Sequence, residues 1–176
     1  LQRTQVKPTR RGEEQEQSGS GFDPSNQGWK RSTDLYAMLT LMNNRTLFPQ
    51  VRNKLRIDDL VDERAMQLYT VMEDACREGS DSSDEVILSM IDEERLRSMV
   101  SLSFQTGEFT ANAQEVLEES IARITLRKLE KVRKHVENLI RLAEKDGSVS
   151  VELSHLLLEK KSLDEKIAGM RKPEHV

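Results

Sequence analysis

From Leu35 to Met170, apolar residues recur at three- and four-residue intervals broken by short polar clusters, and that period predicts helices. Ser32-Thr33-Asp34, all good N-cap residues, precede Leu35, Met38, Leu39, Leu41 and Met42, and Asn43-Asn44 end that helix. A short helix is expected from Pro49 to Leu55, with proline tolerated in a first turn. Asp62 caps the next, which carries Ala65, Leu68, Tyr69, Met72 and Cys76 and stops at Gly79. Ser82-Ser83-Asp84-Glu85 reads as a capping box leading into Val86, Ile87, Met90 and Ile91. A fifth helix, from Glu93 to Gln105, places Leu96, Met99, Val100 and Phe104 on one face before Gly107. None of these five can hide its apolar face alone, so they are expected to pack as one small bundle.

Thr110 to Asp146 contains neither proline nor glycine, and its 36 or so residues would span ~54 Å as a helix. Its pattern changes phase. Ala113, Leu117, Ile121 and Ile124 form one stripe; Leu129, Val132, Val136, Leu139 and Ala143 form another. Continuing the first stripe would require apolar residues at the charged Arg127 and Lys128. The second stripe is therefore rotated by ~140° at 100° per residue, and one helix with two faces implies two packing partners. Asp146-Gly147 is a turn, with Ser148 and Ser150 as caps. Leu153, Leu156, Leu163, Ile167 and Met170 then repeat at seam spacing, with Lys160 in the polar slot. Two such helices joined by a tight loop make an antiparallel hairpin. Ile140, Leu142, Leu157 and Leu158 lie off the narrow seam and are the candidate partner-binding residues. The competing expectation is that they widen the seam or pack on the bundle.

The resulting fold class is all-α: a small helical bundle, then a long helix and a C-terminal antiparallel hairpin. The expected ranges are 1–31 for a flexible linker, 32–125 for the bundle, 126–172 for the hairpin and 173–176 for a tail. Residues 1–31 hold four of the eight glycines, two of the four prolines and the polar run from Glu13 to Ser18. Such a stretch buries too little apolar surface to offset its ordering entropy. Phe22 and Trp29 are its two aromatic exceptions. The chain begins at Leu1, as expected of a piece of something longer.

Composition mostly removes alternatives. With 33% charged and 4% aromatic residues and a net charge of -4, a general affinity for nucleic-acid phosphates is not expected. Cys76 is the single cysteine, so neither an internal disulfide nor a cysteine zinc site can form. No stretch approaches the ~20 apolar residues of a membrane span, and a cytoplasmic location is expected.

Chemistry is sought without success. No phosphate-binding glycine motif occurs. A turn at Gly147 would set His135 opposite Lys160 and His155 opposite Ile140, so the histidines miss each other, and His175 lies at the end. The acidic groups Asp58-Asp59, Asp62-Glu63 and Asp92-Glu93-Glu94 stand at helix starts, where the dipole favours negative charge. Met38, Met42, Met66, Met72, Met90 and Met99 read as core filling. The cations at 123, 127, 128, 131, 133 and 134 read as a solvated face. No catalytic, metal-binding or cofactor-binding residue is assigned, and no cofactor is expected.

The run from Ile121 to Lys134 (IARITLRKLEKVRK), continuing through Leu142-Ala143-Glu144-Lys145-Asp146-Gly147, resembles the carboxy-terminal region of bacterial DNA primase. So do Leu153 to Met170, Leu47-Phe48-Pro49, and the run from Asp62 to Tyr69 (DERAMQLY). The resemblance covers about 32 to 172 and rests mainly on the order of elements and the terminal hairpin. It implies a non-catalytic helicase-binding domain that docks on the amino-terminal domains of the replicative helicase and recruits primer synthesis to the fork. The nucleotidyltransferase domains would lie upstream. The domain is expected to be monomeric, with exchange of hairpin arms as a route to a dimer, and to touch neither nucleic acid nor membrane. The rivals are the amino-terminal domain of the helicase itself, a helical nucleic-acid-binding domain, and a coiled-coil scaffold. Pro173 to Val176 looks like a natural end, which favours primase over helicase.

Overall fold

The computed structural model describes residues 32–78, 83–145 and 150–171. The expected linker, the turn at Gly147, the stop at Gly79, Ser82 and the tail lie outside these. The all-α expectation holds: the described residues contain helices and no strand. In order they are α1 (Thr33–Asn43), a 3-10 turn (Arg45–Leu47), α2 (Phe48–Val51), a second 3-10 turn (Ile57–Asp59), α3 (Glu63–Glu78), α4 (Asp84–Ser89), α5 (Glu94–Thr106), α6 (Ala113–Lys145) and α7 (Ser150–Arg171).

Helix α1 is the centre of the bundle. Its sequence is apolar on nearly all sides, and Leu35, Ala37, Met38, Leu39, Leu41 and Met42 are all buried, as expected of a helix surrounded by others. It packs against α3, α5 and α6. Thr40 is buried too, its hydroxyl donating to the Tyr36 carbonyl at 2.9 Å. Ser32 caps α1 by accepting from the Leu35 amide at 3.1 Å, and Asn44 closes it. The Asn44 side-chain amide donates to the carbonyls of Thr40 and Phe109, both at 2.8 Å, which ties the end of α1 to the approach of α6.

Several boundaries differ from expectation, among them α2, which runs Phe48–Val51 where a helix from Pro49 to Leu55 is expected. The N-cap of α4 is Ser83, accepting from the Val86 amide, one residue later than a box on Ser82 would place it. Helix α6 begins at Ala113 instead of Thr110. Gly107 ends α5 in the left-handed region (φ 63°), and Asn112, which tolerates that region, repeats it (φ 53°). The turn between them buries Phe109 against Tyr36, with ring centroids 5.3 Å apart. The helical pattern of Thr110-Ala111 yields to that packing.

The apolar core falls into two clusters. One lies in the bundle and takes Leu117, Ile121 and Ile124 from α6; the other lies in the hairpin around Val136, Ile140 and Leu163. Between them stand Arg127 and Lys128, which carry the expected break in the first stripe. The structure corrects that expectation, because both residues still face the bundle through ionic contacts. The Arg127 guanidinium grips Asp34 with two bonds of 2.8 and 3.1 Å and donates to the Asp59 carbonyl at 3.0 Å. Lys128 donates to the Asp59 carboxylate. Asp34 is 0% exposed and also accepts from the Val61 amide at 2.7 Å. Burial alone pushes the Asp59 carboxyl up, but bonds from Lys128 and the Arg56 amide outweigh it and hold its pKa below the usual range.

Asp62 heads α3. It accepts from the Arg64 amide and guanidinium and from the Ser32 hydroxyl, and these bonds, Arg64's first, hold its pKa at about 2 against burial.

Two outcomes follow. Arg127→Met strands the buried Asp34 charge and should cost about 3–5 kcal/mol in urea unfolding; the double change with Asp34→Leu should recover much of that loss. Asp62 has a depressed folded pKa, so its contribution is complete above about pH 4 and disappears as pH falls through about 2. The stability gap between wild type and Asp62→Asn should therefore be about 2 kcal/mol at neutral pH and close with acid; a gap independent of pH would refute the assignment.

Candidate protein-docking site

The hairpin consists of the carboxy-terminal half of α6 and α7, which pack along each other. Its core is small. Val136, Ile140, Leu163 and Ile167 are buried, with Leu129, Leu153 and Leu156 partly so. The seam of α6 runs through 129, 133, 136 and 140, not through 129, 132, 136 and 139 as the apolar pattern suggests. Val132 and Leu139 are accordingly left partly exposed.

The four candidate residues separate. Ile140, 8% exposed, is a seam residue and is unavailable to a partner. Leu142 (56%), Leu157 (50%) and Leu158 (68%) stand out in solvent. Leu142 lies about 200° round α6 from Ile140, and Leu158 about 200° round α7 from Leu156. They therefore sit on the outer sides of the two arms. A partner contacting all three leucines must embrace the hairpin instead of resting on one flat face.

Charge accounts for the rotated seam. Arg133 lies three residues before Val136 and four after Leu129, in line with the stripe, and reaches Asp164 at 3.5 Å across the hairpin. Lys160 sits 3.7 Å from Glu137 and 3.4 Å from Asp164, and Arg171 closes on Glu130 at 2.5 Å. The pairing of Lys160 with Glu137 sets the register two residues from the expected Lys160–His135 apposition. The signal for this ladder was opposite charge at matching heights on the arms, hidden because Arg133 reads as part of a polar face. His135 and His155 are exposed, and no cluster of His, Cys, Asp or Glu able to hold a metal occurs among the described residues. No helix among them is long and apolar enough to cross a membrane.

The described residues thus define a helical domain whose most exposed large apolar side chains include the leucines of a two-helix arm. In sequence, the chain is similar to the DNA primase of Treponema pallidum (strain Nichols), with 29% identity over 150 residues, 81% of this chain and 24% of that protein. The chain thus spans about a quarter of that relative's length. The expected similarity to a DNA primase is found. No known family pattern and no solved structure matches the chain.

The energetic division within the hairpin is testable. Ile140→Ala, at the seam, should cost about 2–4 kcal/mol and melt the arm first. Leu158→Ala should change stability by no more than about 0.5 kcal/mol. Thermal unfolding followed by helical circular dichroism separates the two; equal losses would mean that Leu158 is packed in solution.

Proposed function

We propose that this chain is the helicase-binding part of a bacterial DNA primase, without catalytic chemistry of its own, and that its hairpin grips the amino-terminal domains of the replicative helicase. The observation that carries this reading is the solvent exposure of Leu142, Leu157 and Leu158 on a two-helix arm in a chain similar to a DNA primase. Among the described residues, the arm's own ion pairs and seam make no use of these leucines.

Magnitudes limit what the leucines can do. Burying the exposed remainder of three leucines gains roughly 3–5 kcal/mol, below the ~8 kcal/mol of a micromolar complex. The leucines therefore act as anchors within a wider contact. In a full primase, covalent linkage to a catalytic domain would turn modest docking into efficient recruitment by raising local concentration.

The test is calorimetric titration of the chain with the amino-terminal region of a cognate replicative helicase. Binding should be measurable, and Leu157→Asp or Leu158→Asp should weaken it about tenfold or more while leaving the bundle's helical signal unchanged. Undiminished affinity in both variants would remove the leucines from the interface.

A further inference from the structure

The two flanks of the arm differ. On α6, Val132 (38% exposed) and Leu139 (37%) come just before the seam residues Arg133 and Ile140. On α7, Glu159 and Lys166 come just before Lys160 and Ile167. In two antiparallel helices, positions that precede such seam residues share one flank, and positions that follow seam residues share the other. The second flank is the ionic one, where Glu130 pairs with Arg171 and Glu137 with Lys160.

The first flank has no such internal use. Glu159 and Lys166 are exposed and enter no ion pair among the described residues. They are seven residues apart on one helix, about 10 Å, too far to meet each other. Val132 and Leu139 have the same spacing on α6. The contacts of Arg133 with Asp164 and of Lys160 with Glu137 fix the relative heights of the helices. Val132 is thereby level with Lys166, and Leu139 with Glu159, each to within about one residue. One end of the flank thus carries Val132 and Lys166, the other Leu139 and Glu159.

Such a surface is its own complement. A two-fold axis crossing both helices midway between the ends exchanges them. An identical arm laid antiparallel on this flank then sets Val132 against Leu139 and Lys166 against Glu159, each pair occurring twice. A parallel placement would instead oppose lysine to lysine and glutamate to glutamate, which disfavours it.

We infer that this flank is an interface for a second copy of the same chain, forming an antiparallel two-fold dimer through the arms. Helix α6 lies on its counterpart and α7 on its counterpart, as a four-helix bundle, with the two larger bundles sent to opposite ends. Each arm keeps its own two helices, so no exchange is needed. The interface is independent of the proposed helicase contact: Leu157 follows a seam residue and belongs to the other flank, and Leu158 is on the outer side. With only two large apolar residues from each copy, association is weak and is lost on dilution below roughly 100 µM.

Sedimentation velocity of the full chain from about 10 to about 500 µM measures this association. The mass should rise from 20.2 kDa toward twice that value. Leu139→Asp should abolish the rise, and Lys166→Glu or Glu159→Lys alone should weaken dimerisation about tenfold; helical circular dichroism verifies that these surface variants fold. Combining Glu159→Lys with Lys166→Glu in one chain should restore the dimer, and mixing the two single variants should give a heterodimer, as two-fold pairing requires. Leu157→Asp with Leu158→Asp should leave the dimer unchanged. A monomer at every concentration, indifference to the single charge reversals, failure of the double reversal to restore association, or loss of the dimer in the leucine variant would each overturn the interface. Helicase binding by the hairpin is read separately, by calorimetry.

Discussion

A carboxylate with no solvent exposure is tolerable only if its oxygens are fully engaged, and in this protein Asp34 meets that condition by joining three parts of the chain. Its side chain takes the fork of Arg127 from α6 and the Val61 amide from the approach to α3, while its backbone begins α1. Such an arrangement is specific before it is strong, because desolvation consumes much of the attraction. Its effect is geometric: α6 is held at one azimuth over α1, and every residue beyond Arg127 inherits that setting.

The same division of labour recurs in the hairpin. Apolar burial there is modest, and the ladder of Arg133, Glu137, Lys160 and Asp164 decides which faces meet. With Arg133 turned to the partner arm, the seam passes through Ile140 and leaves Leu139 at its flank. Bundle and arm are thus both assembled from leucine-rich helices whose alignment is chosen by a few ion pairs. The leucines that alignment does not use, Leu142, Leu157 and Leu158, stand exposed on the arm.

Helix positions were legible in the sequence because spacing, caps and breakers are local signals. Ser32, Asn44 and Gly107 act where residue chemistry places them. Which side of a helix meets which neighbour was less legible, since it depends on pairs distant in the chain. Arg127 and Lys128 look like an interruption until Asp34 and Asp59 stand opposite them. Ile140 and Leu139 are equivalent by composition and are told apart by Arg133. Leu142, Leu157 and Leu158 were identifiable as surplus to a two-helix seam, but their position on the outer sides of the arms needed the observed register.

The 33 residues of α6 run without interruption from the bundle core to the tip of the arm. A rod of this kind transmits phase. Inserting a single residue just after Lys128 would advance the arm by only about 1.5 Å but swing its leucines through about 100° around the shaft. The spacing between the Arg127 clamp and the hairpin seam is therefore as constrained as the residues themselves, and length variation in relatives should be absorbed in the loops flanking α6, not within it.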